Sequence, residues 1–229
     1  MLGLGGFCIL FFQPRWLLAG FTRVNPGALF FVQTDQPFIA LTIDDGPWEG
    51  TTSLILAVLA EYDAQATFFV IGDRLPGQQA LLDRMIAEGH ELGNHLSHDE
   101  ASAKLSPSEF ESDLLTTGAA LAAHAQPRWL RPGMGWYTPQ MIAIAQKHNY
   151  RVVLGDIFPY DTHIPSSVFA QQHILWNARP GSVIVLHDGI NNRGQRTVAT
   201  LRRILPQLQQ RGYRIVTLSA LAHAVILDN

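Results

Sequence analysis

The chain has 229 residues, 47% of them hydrophobic, which suits one domain of the larger α/β kind. Its net charge is −3, from 16 basic and 19 acidic residues with no basic block, so the composition argues against a nucleic-acid partner. Cys8 is the only cysteine, which excludes an internal disulfide and a zinc site built from cysteines.

The first 33 residues, 1–33, form an apolar segment that we interpret as a cap on the domain or as an interfacial membrane anchor. Residues 1–12 are apolar, and Gln13, Pro14 and Arg15 then interrupt the run. A membrane span needs about 18 or more uninterrupted apolar residues, and a secretory signal needs basic residues before its apolar part. We therefore expect weak membrane association at most, and a cytoplasmic or membrane-associated location rather than a secreted one. The oligomeric state stays open.

Short apolar runs alternate with stretches of helical length from residue 38 onward. Strands are predicted at 38–43, 66–72, 90–95, 128–131, 150–156, 181–188 and 213–218. Helices are predicted at 51–62, 77–88, 107–123, 138–148, 165–177, 195–211 and 219–226. This alternation predicts parallel strands joined by crossover helices, in a (β/α) barrel with one strand missing or in an open doubly wound sheet. No glycine-rich phosphate loop follows the first strand, which lowers the expectation of a nucleotide-binding fold.

Polar side chains cluster just after the predicted strands. In a parallel barrel the carboxyl ends of the strands share one face, where active sites are built. These scattered residues are therefore expected to converge. They are Asp44, Asp45, His95, His98, Asp99, Arg131, Asp161, His187 and Asp188.

Each motif also has a purely structural interpretation. Asp44 and Asp45, followed by Gly and Pro, could only shape a turn. His187, at the end of an apolar strand, could be a buried structural histidine.

The stretch HLSHD, residues 95–99, is compatible with a helix start that Ser97 caps and with a metal site. On a helix, His95 and Asp99 face the same side, and His98 does so too. Imidazoles and carboxylates together favour zinc or a similar divalent ion.

The motifs TIDDGP, ATFFVIG, GHELGNH, RPGMG, FPYD and IVLHDG occur in this order between Pro37 and Leu218. With this ordered set the chain resembles the polysaccharide deacetylase family, the NodB-homology domain of carbohydrate esterase family four. The resemblance implies an α/β fold, a distorted (β/α) barrel of about seven strand–helix units, with residues 34–229 as the catalytic domain. It also implies a hydrolase that removes N-acetyl groups from a chitin- or peptidoglycan-like poly- or oligosaccharide containing N-acetylglucosamine.

The resemblance implies roles for the catalytic residues. Asp44 would be the general base, and Arg131 would hold it. His187 would be the general acid, and Asp161 would orient and charge it. We expect the charge of each partner to favour the ionised form that the role requires.

The same resemblance implies a divalent metal cofactor, with Zn²⁺ as the expected ion. Asp45 would be the first ligand and His95 the second. The family usually has two histidines four residues apart, but here the fourth residue after His95 is Asp99. Asp99 is therefore the expected third ligand, and His98, one position earlier, is the alternative.

The predicted carbohydrate-binding residues are Leu186, Gly133, Met134, Trp136 and Tyr160, with Leu186 lining the pocket for the acetyl methyl group. The family usually has a Pro and an aromatic residue where this chain has Gly133 and Met134. These departures, together with a Thr in place of the Trp that usually follows the FPYD motif, predict an altered groove. Two alternatives stay open: an amidohydrolase that acts on a small-molecule amide, and a non-catalytic carbohydrate-binding relative.

Overall fold

The structure is a computed structural model that describes residues 11–24 and 26–224. Residues 1–10, with Cys8, and the predicted end of the last helix at 225–226 lie outside the described residues. Within the described residues, eight parallel strands form one sheet in the order β1-β6-β5-β4-β3-β2-β7, and β8 pairs with β2. The strands are β1 Ala28–Leu29, β2 Phe38–Gly46, β3 Ala66–Val70, β4 Glu91–Asn94, β5 Trp129–Leu130, β6 Arg151–Val153, β7 Val183–His187 and β8 Arg214–Val216.

Helices alternate with these strands, as the sequence predicts for crossover connections. The helices are α1 Arg15–Val24, α2 Thr51–Glu61, α3 Gln79–Ala87, α4 Pro107–Leu121, α5 Pro139–Lys147, α6 Ser167–Asn177, α7 Arg193–Gln210 and α8 Leu218–Ala224. The start of α4 is a capping box, because the Ser106 side chain accepts from the Glu109 N–H and the Glu109 side chain accepts from the Ser106 N–H. Pro107 at the first helical position reinforces this start. The predicted distorted (β/α) barrel is confirmed.

The sheet curves so that its two ends approach each other. The Val32 N–H, just after β1, donates to the Gly181 carbonyl, just before β7, at 2.9 Å. β1 is the strand that the periodicity did not predict, because two residues are too short to show an apolar pattern.

The described part of the 1–33 segment packs on the domain. β1 continues the same sheet as the strands after residue 34, so the described residues show no separation at the predicted boundary. No helix among the described residues is long and apolar enough to cross a membrane.

The side chains of β2 alternate between two faces of the sheet, and this alternation places Asp44. Ile39, Leu41 and Ile43 pack into the core between the sheet and the helices α2 and α7. The intervening side chains lie on the interior face, where Ala40 joins a second apolar cluster drawn from β3, β5, β6 and β7. Asp44 continues this interior face at the carboxyl end of the strand. A carboxylate thus lies at the end of the barrel interior, in nearly complete burial.

Candidate active site

Asp44 is held from within the barrel by a buried arginine. Arg131, just after β5, places Nη1 2.5 Å from Asp44 Oδ1 and 2.7 Å from Thr42 Oγ1. The guanidinium also lies over the Phe69 ring, 4.3 Å from its centroid. Burial lowers the pKa of Arg131 and the neighbouring Asp44 opposes that shift, yet an arginine stays charged in proteins. Removing either member of such a buried pair leaves an uncompensated charge, at a cost of about 3–5 kcal/mol.

A bulge brings Asp45 to the same place as Asp44. Neighbouring residues on a regular strand point to opposite faces. Here the register between β2 and β3 shifts between Asp44 and Gly46, and Asp45 has a φ of 65°. That left-handed conformation costs a non-glycine residue of order 1–3 kcal/mol, although Asp tolerates it better than most residues. Its consequence is that both carboxylates approach the ring of His95, at 3.9 Å and 3.3 Å from Nε2.

His95 presents one ring nitrogen to these acids. Its Nδ1 lies 2.6 Å from the Arg131 carbonyl oxygen, so Nδ1 carries a proton and donates it. A neutral ring then aims the Nε2 lone pair at two carboxylates, which is unfavourable unless a cation or a proton lies between them. Burial acts to lower the pKa of His95, but the hydrogen bond that its ring donates to Asp45 and the charges of Asp44 and Asp45 outweigh burial and raise the pKa. Asp45 and His95 therefore fit a divalent cation as an oxygen and a nitrogen donor.

Asp45 also has a partner that the sequence motifs do not mark. Arg193, the first residue of α7, places Nη1 2.7 Å from Asp45 Oδ2. Burial raises the pKa of Asp45, but the contact with His95 and the charges of His95, His187 and Arg193 outweigh burial and hold the pKa well below its usual range. Sequence reasoning missed Arg193, because nothing in its spacing from the LHD motif distinguishes it from a surface arginine.

His187 forms the second carboxylate–imidazole pair of the site. Its Nδ1 lies 3.0 Å from Asp161 Oδ1, and its backbone N–H donates to Asp161 Oδ2 at 2.9 Å. Burial acts to lower the pKa of His187, but Asp161 and the charges of Asp44 and Asp45 outweigh it and raise the pKa to about 9. The other ring nitrogen, Nε2, lies 3.9 Å from Asp44 Oδ2. The structure thus brings together the four predicted catalytic residues, with one oxygen of Asp44 facing both histidines.

The predicted third metal ligand is not brought to Asp45 and His95. Asp99 is 53% exposed and pairs with Arg74, whose Nη2 lies 2.9 Å from Asp99 Oδ2. His98 is 57% exposed and places Nδ1 2.5 Å from Asp73 Oδ2. Within the described residues, no three His, Cys, Asp or Glu side chains are grouped so that they could hold a metal ion. The stretch 96–101 is loop rather than helix, so the helical i, i+4 argument does not apply to it.

Arg74 connects the Asp99 loop to the site. Besides its contact with Asp99, it donates to the Asp45 backbone carbonyl and lies over the Trp48 ring, 4.5 Å from the centroid. Asp188, the other acid of the LHD motif, accepts from Thr51 and Thr52 at 2.5 Å each. Asp188 is fully buried, and both of its carboxylate oxygens hold the first two residues of α2.

Leu186 does not share the face of His187. It is completely buried in the core between the sheet and the helices α2 and α7. Because adjacent strand residues alternate, the side chain on the interior face beside His187 is that of Val185, which is paired with Thr42 of β2. The alternation of β7 alone could have identified Val185, since it lies two positions before His187.

The remaining predicted carbohydrate-binding residues lie on two loops. Met134 and Trp136 are mostly exposed, on the turn after β5. Gly133 is buried there, and a Cβ at this position would lie 2.0 Å from the Glu100 carbonyl oxygen, so only glycine fits. Tyr160 is half-buried on the loop that carries Asp161, with its ring 5.1 Å from that of Phe158.

The chain is similar in sequence to known deacetylases. A family model described as polysaccharide deacetylase matches residues 31–153. The chain is 36% identical over 193 residues to a peptidoglycan-N-acetylglucosamine deacetylase of Bacillus cereus, in a match that covers 83% of this chain and 90% of that relative. It is 34% identical over 191 residues to a chitooligosaccharide deacetylase of Bradyrhizobium sp., covering 77% of this chain and 87% of the relative.

Solved structures have the same fold. A crystal structure of a peptidoglycan N-acetylglucosamine deacetylase in complex with 4-naphthalen-1-yl-N-oxidanyl-benzamide matches 88% of this chain and 95% of its own, with a TM-score of 0.82 and 30% identity. A family 4 acetyl xylan esterase from Clostridium thermocellum, in complex with a cobalt ion, matches 80% of this chain and 89% of its own, with a TM-score of 0.73 and 30% identity.

Proposed function

This chain belongs to the polysaccharide deacetylase family, and we propose on that premise that it removes N-acetyl groups from a poly- or oligosaccharide containing N-acetylglucosamine. The observation that carries the proposal is the position of Asp44 Oδ2, which lies 3.9 Å from Nε2 of both His95 and His187. A single oxygen of Asp44 therefore faces both His95, the expected metal ligand, and His187, the expected general acid. This arrangement suits a reaction that takes a proton from water and gives a proton to a leaving amine.

Asp44 supplies the base. Arg131 occupies Oδ1, which leaves Oδ2 to accept a proton from a water that attacks the amide carbonyl carbon. The water oxygen forms a bond to that carbon, and its proton moves to Oδ2. The buried guanidinium fixes the direction of the carboxylate before the reaction, so no reorganisation is needed at that step.

His187 supplies the acid. An amine leaves an amide readily only when its nitrogen is protonated. His187 turns Nδ1 toward Asp161 and Nε2 toward Asp44, so Nε2 is the nitrogen that faces the base. When the carbon–nitrogen bond breaks, the nitrogen takes the Nε2 proton. The products are acetate and the free amine. With a pKa of about 9, His187 carries its proton at neutral pH, as an acid must.

The residues that would hold a divalent cation are Asp45 and His95, with Asp99 or His98 as a third ligand. A bound divalent cation lowers the pKa of water and polarises a carbonyl oxygen. The cobalt ion in the acetyl xylan esterase supports a divalent metal for this family, and the nitrogen and oxygen donors support Zn²⁺ in this chain. For Asp99 to bind the cation, its ion pair with Arg74 must open; for His98, its contact with Asp73 must open.

The exposed side chains of Met134 and Trp136 favour a glycan over a small-molecule amide as the substrate. They belong to the same turn as buried Gly133, which directly follows Arg131 and Pro132. An indole face beside a polar site is a suitable surface for a sugar ring.

Acetate release from N-acetylglucosamine oligomers tests the proposal. Wild type should release acetate, lose activity after thorough metal removal and regain it with Zn²⁺. Asp44→Asn should reduce kcat by about 10²- to 10⁴-fold, since this is the usual contribution of a general base. Activity that survives both changes contradicts the proposed mechanism. Equal turnover of monomeric amides and oligomers would instead support the small-molecule alternative.

Weak membrane association of the N-terminal segment is a separate proposal. Trp16 is 69% exposed on α1, while its neighbour Arg15 points into the domain. Trp residues favour the boundary between lipid and water. Sedimentation with phosphatidylcholine vesicles should fall for Trp16→Ser and stay unchanged for Trp136→Ser, which removes a Trp of similar exposure, 65%, from another surface. Equal behaviour of wild type and Trp16→Ser overturns this proposal.

A further inference from the structure

The loop that carries Asp161 is braced by the N-terminal segment. We call residues 156–161 the acid loop, because Asp161 orients His187. We propose that Gln13 is a positioning residue for the deacetylation proposed above, and that it holds the acid loop so that Asp161 stays against His187. The inference rests on that proposed function, and it assigns a role to a residue outside the 31–153 segment that the family model matches.

Gln13 pairs with both backbone groups of one loop residue. Its Nε2 donates to the Phe158 carbonyl at 2.8 Å, and its Oε1 accepts from the Phe158 N–H at 2.8 Å. A side-chain amide has one donor side and one acceptor side, so it imitates the pairing of a neighbouring strand. The contact joins positions 145 residues apart in the chain. It satisfies both backbone polar groups of Phe158, in a region without secondary structure.

Arg15 secures the start of the same loop. Its Nε lies 2.7 Å from Asp156 Oδ2, and its other nitrogens donate to the Pro180 carbonyl at 3.0 Å and to Ser182 Oγ at 2.9 Å. Asp156 in turn accepts from the Val183 N–H at 2.7 Å, at the first residue of β7. The two side chains of the N-terminal segment thus fix the acid loop at two points before it reaches Asp161.

The braced residue also contacts the acid directly. The Phe158 ring packs edge-on against His187, with centroids 5.8 Å apart. Only Pro159 and Tyr160 separate Phe158 from Asp161, so a backbone shift at Phe158 changes both the ring packed on His187 and the position of its carboxylate partner. A misplacement of about 1 Å at a reacting group costs up to about 10²-fold in rate.

A positioning role for Gln13 differs measurably from a merely structural one. If Gln13 only stabilises the fold, its loss lowers the melting temperature and leaves the folded enzyme unchanged. If it positions Asp161, the folded variant has a weaker contact between Asp161 and His187. The acid form of His187 is then lost at a lower pH, because Asp161 is the group that chiefly opposes burial there. The carboxylates of Asp44 and Asp45 also face His187, and the substitution leaves both in place.

The test uses Gln13→Met in the full chain, which keeps the side-chain volume and removes both hydrogen bonds. The matched control is Gln209→Met, since Gln209 also donates its amide to a backbone carbonyl, that of Tyr62, on another surface. For Gln13→Met we expect kcat on N-acetylglucosamine oligomers to fall by about 10- to 10²-fold with little change in KM. The basic limb of its kcat–pH profile should move to lower pH. Gln209→Met should match wild type in both measurements.

The possible outcomes separate the two proposals. Wild type without acetate release refutes the proposed function itself. An active wild type with an unchanged profile for folded Gln13→Met overturns the positioning role and leaves the function intact. If Gln13→Met does not fold, Gln13→Glu decides, because its carboxylate still accepts from the Phe158 N–H but turns an acceptor instead of a donor toward the Phe158 carbonyl. An intermediate loss of kcat with the same downward shift supports the inference, and a wild-type profile overturns it.

Discussion

The two halves of the site are built differently. The acid–base half, Asp44 with Arg131 and Asp161 with His187, is almost entirely buried, and the two side chains of each pair lie 3.0 Å or less apart. The metal half has two buried donors, Asp45 and His95, while both candidates for the third, Asp99 and His98, are exposed and paired elsewhere. The comparison teaches that the proton-transfer groups are held by buried partners, whereas the third metal ligand depends on an exposed loop.

The largest effect should come from breaking the acid–base half. Asp161→Asn removes the charge that raises the pKa of His187 to about 9, so the acid form is lost at a lower pH and the basic limb of the kcat–pH profile moves down. We expect kcat near neutral pH to fall by about 10²-fold, within the usual contribution of a general acid. Asp83→Asn is the control, because Asp83 forms an Asp–His pair with His124 on the surface at 2.6 Å. An unshifted basic limb for Asp161→Asn would contradict this role.

An intermediate effect should identify the third ligand. Asp99→Ala and His98→Ala are compared by competition for Zn²⁺ with a chromophoric chelator, which measures metal affinity without activity. The variant that loses the true ligand should bind Zn²⁺ about tenfold more weakly or worse, a change of about 1.4 kcal/mol or more. The other variant should resemble wild type. If neither changes the affinity, the ligand does not come from the loop 96–101.

The smallest effect should come from the ion pair that holds Asp99. Arg74→Gln frees the Asp99 carboxylate, and partly exposed pairs contribute about 0.2–1 kcal/mol, so the affinity for Zn²⁺ should rise by about fivefold at most if Asp99 is the ligand. Arg84→Gln, which breaks the surface pair with Glu88, is the matched control and should leave the affinity unchanged. A weaker affinity for Arg74→Gln would mean that Arg74 supports Asp45 through its backbone carbonyl instead.

Much of the fold was predictable because its signals are local. Helix α4 has its capping box and proline within four residues, and the predicted start at 107 agrees with the observed Pro107. The strand β2 shows a continuous apolar run because helices cover it on one side and the barrel interior on the other. By contrast, β1 has only two residues, and its strand character exists only through its pairing with β6.

The site was predictable to the extent that ordered motifs carry it. The motifs indicated the four acid–base residues and the two buried donors. They did not indicate Arg193 or Gln13, whose contacts cross 148 and 145 residues of sequence. The motif that contains Leu186 was identified correctly, but the side chain lies on the helix-covered face of β7 and not on the interior face. Which of two adjacent strand residues enters the interior depends on the packing of the sheet.

The sequence by itself determined the alternation of strands and helices, the family, and the set of acids and histidines that meet at the carboxyl ends of the strands. Tertiary structure decided the direction of each side chain. The bulge at Asp45 turns two neighbouring carboxylates toward one histidine, the loop 96–101 pairs Asp99 with Arg74, and the N-terminal segment braces the acid loop. The physical reason is that composition and periodicity specify which residues are buried, while orientation depends on partners that lie far away in the chain.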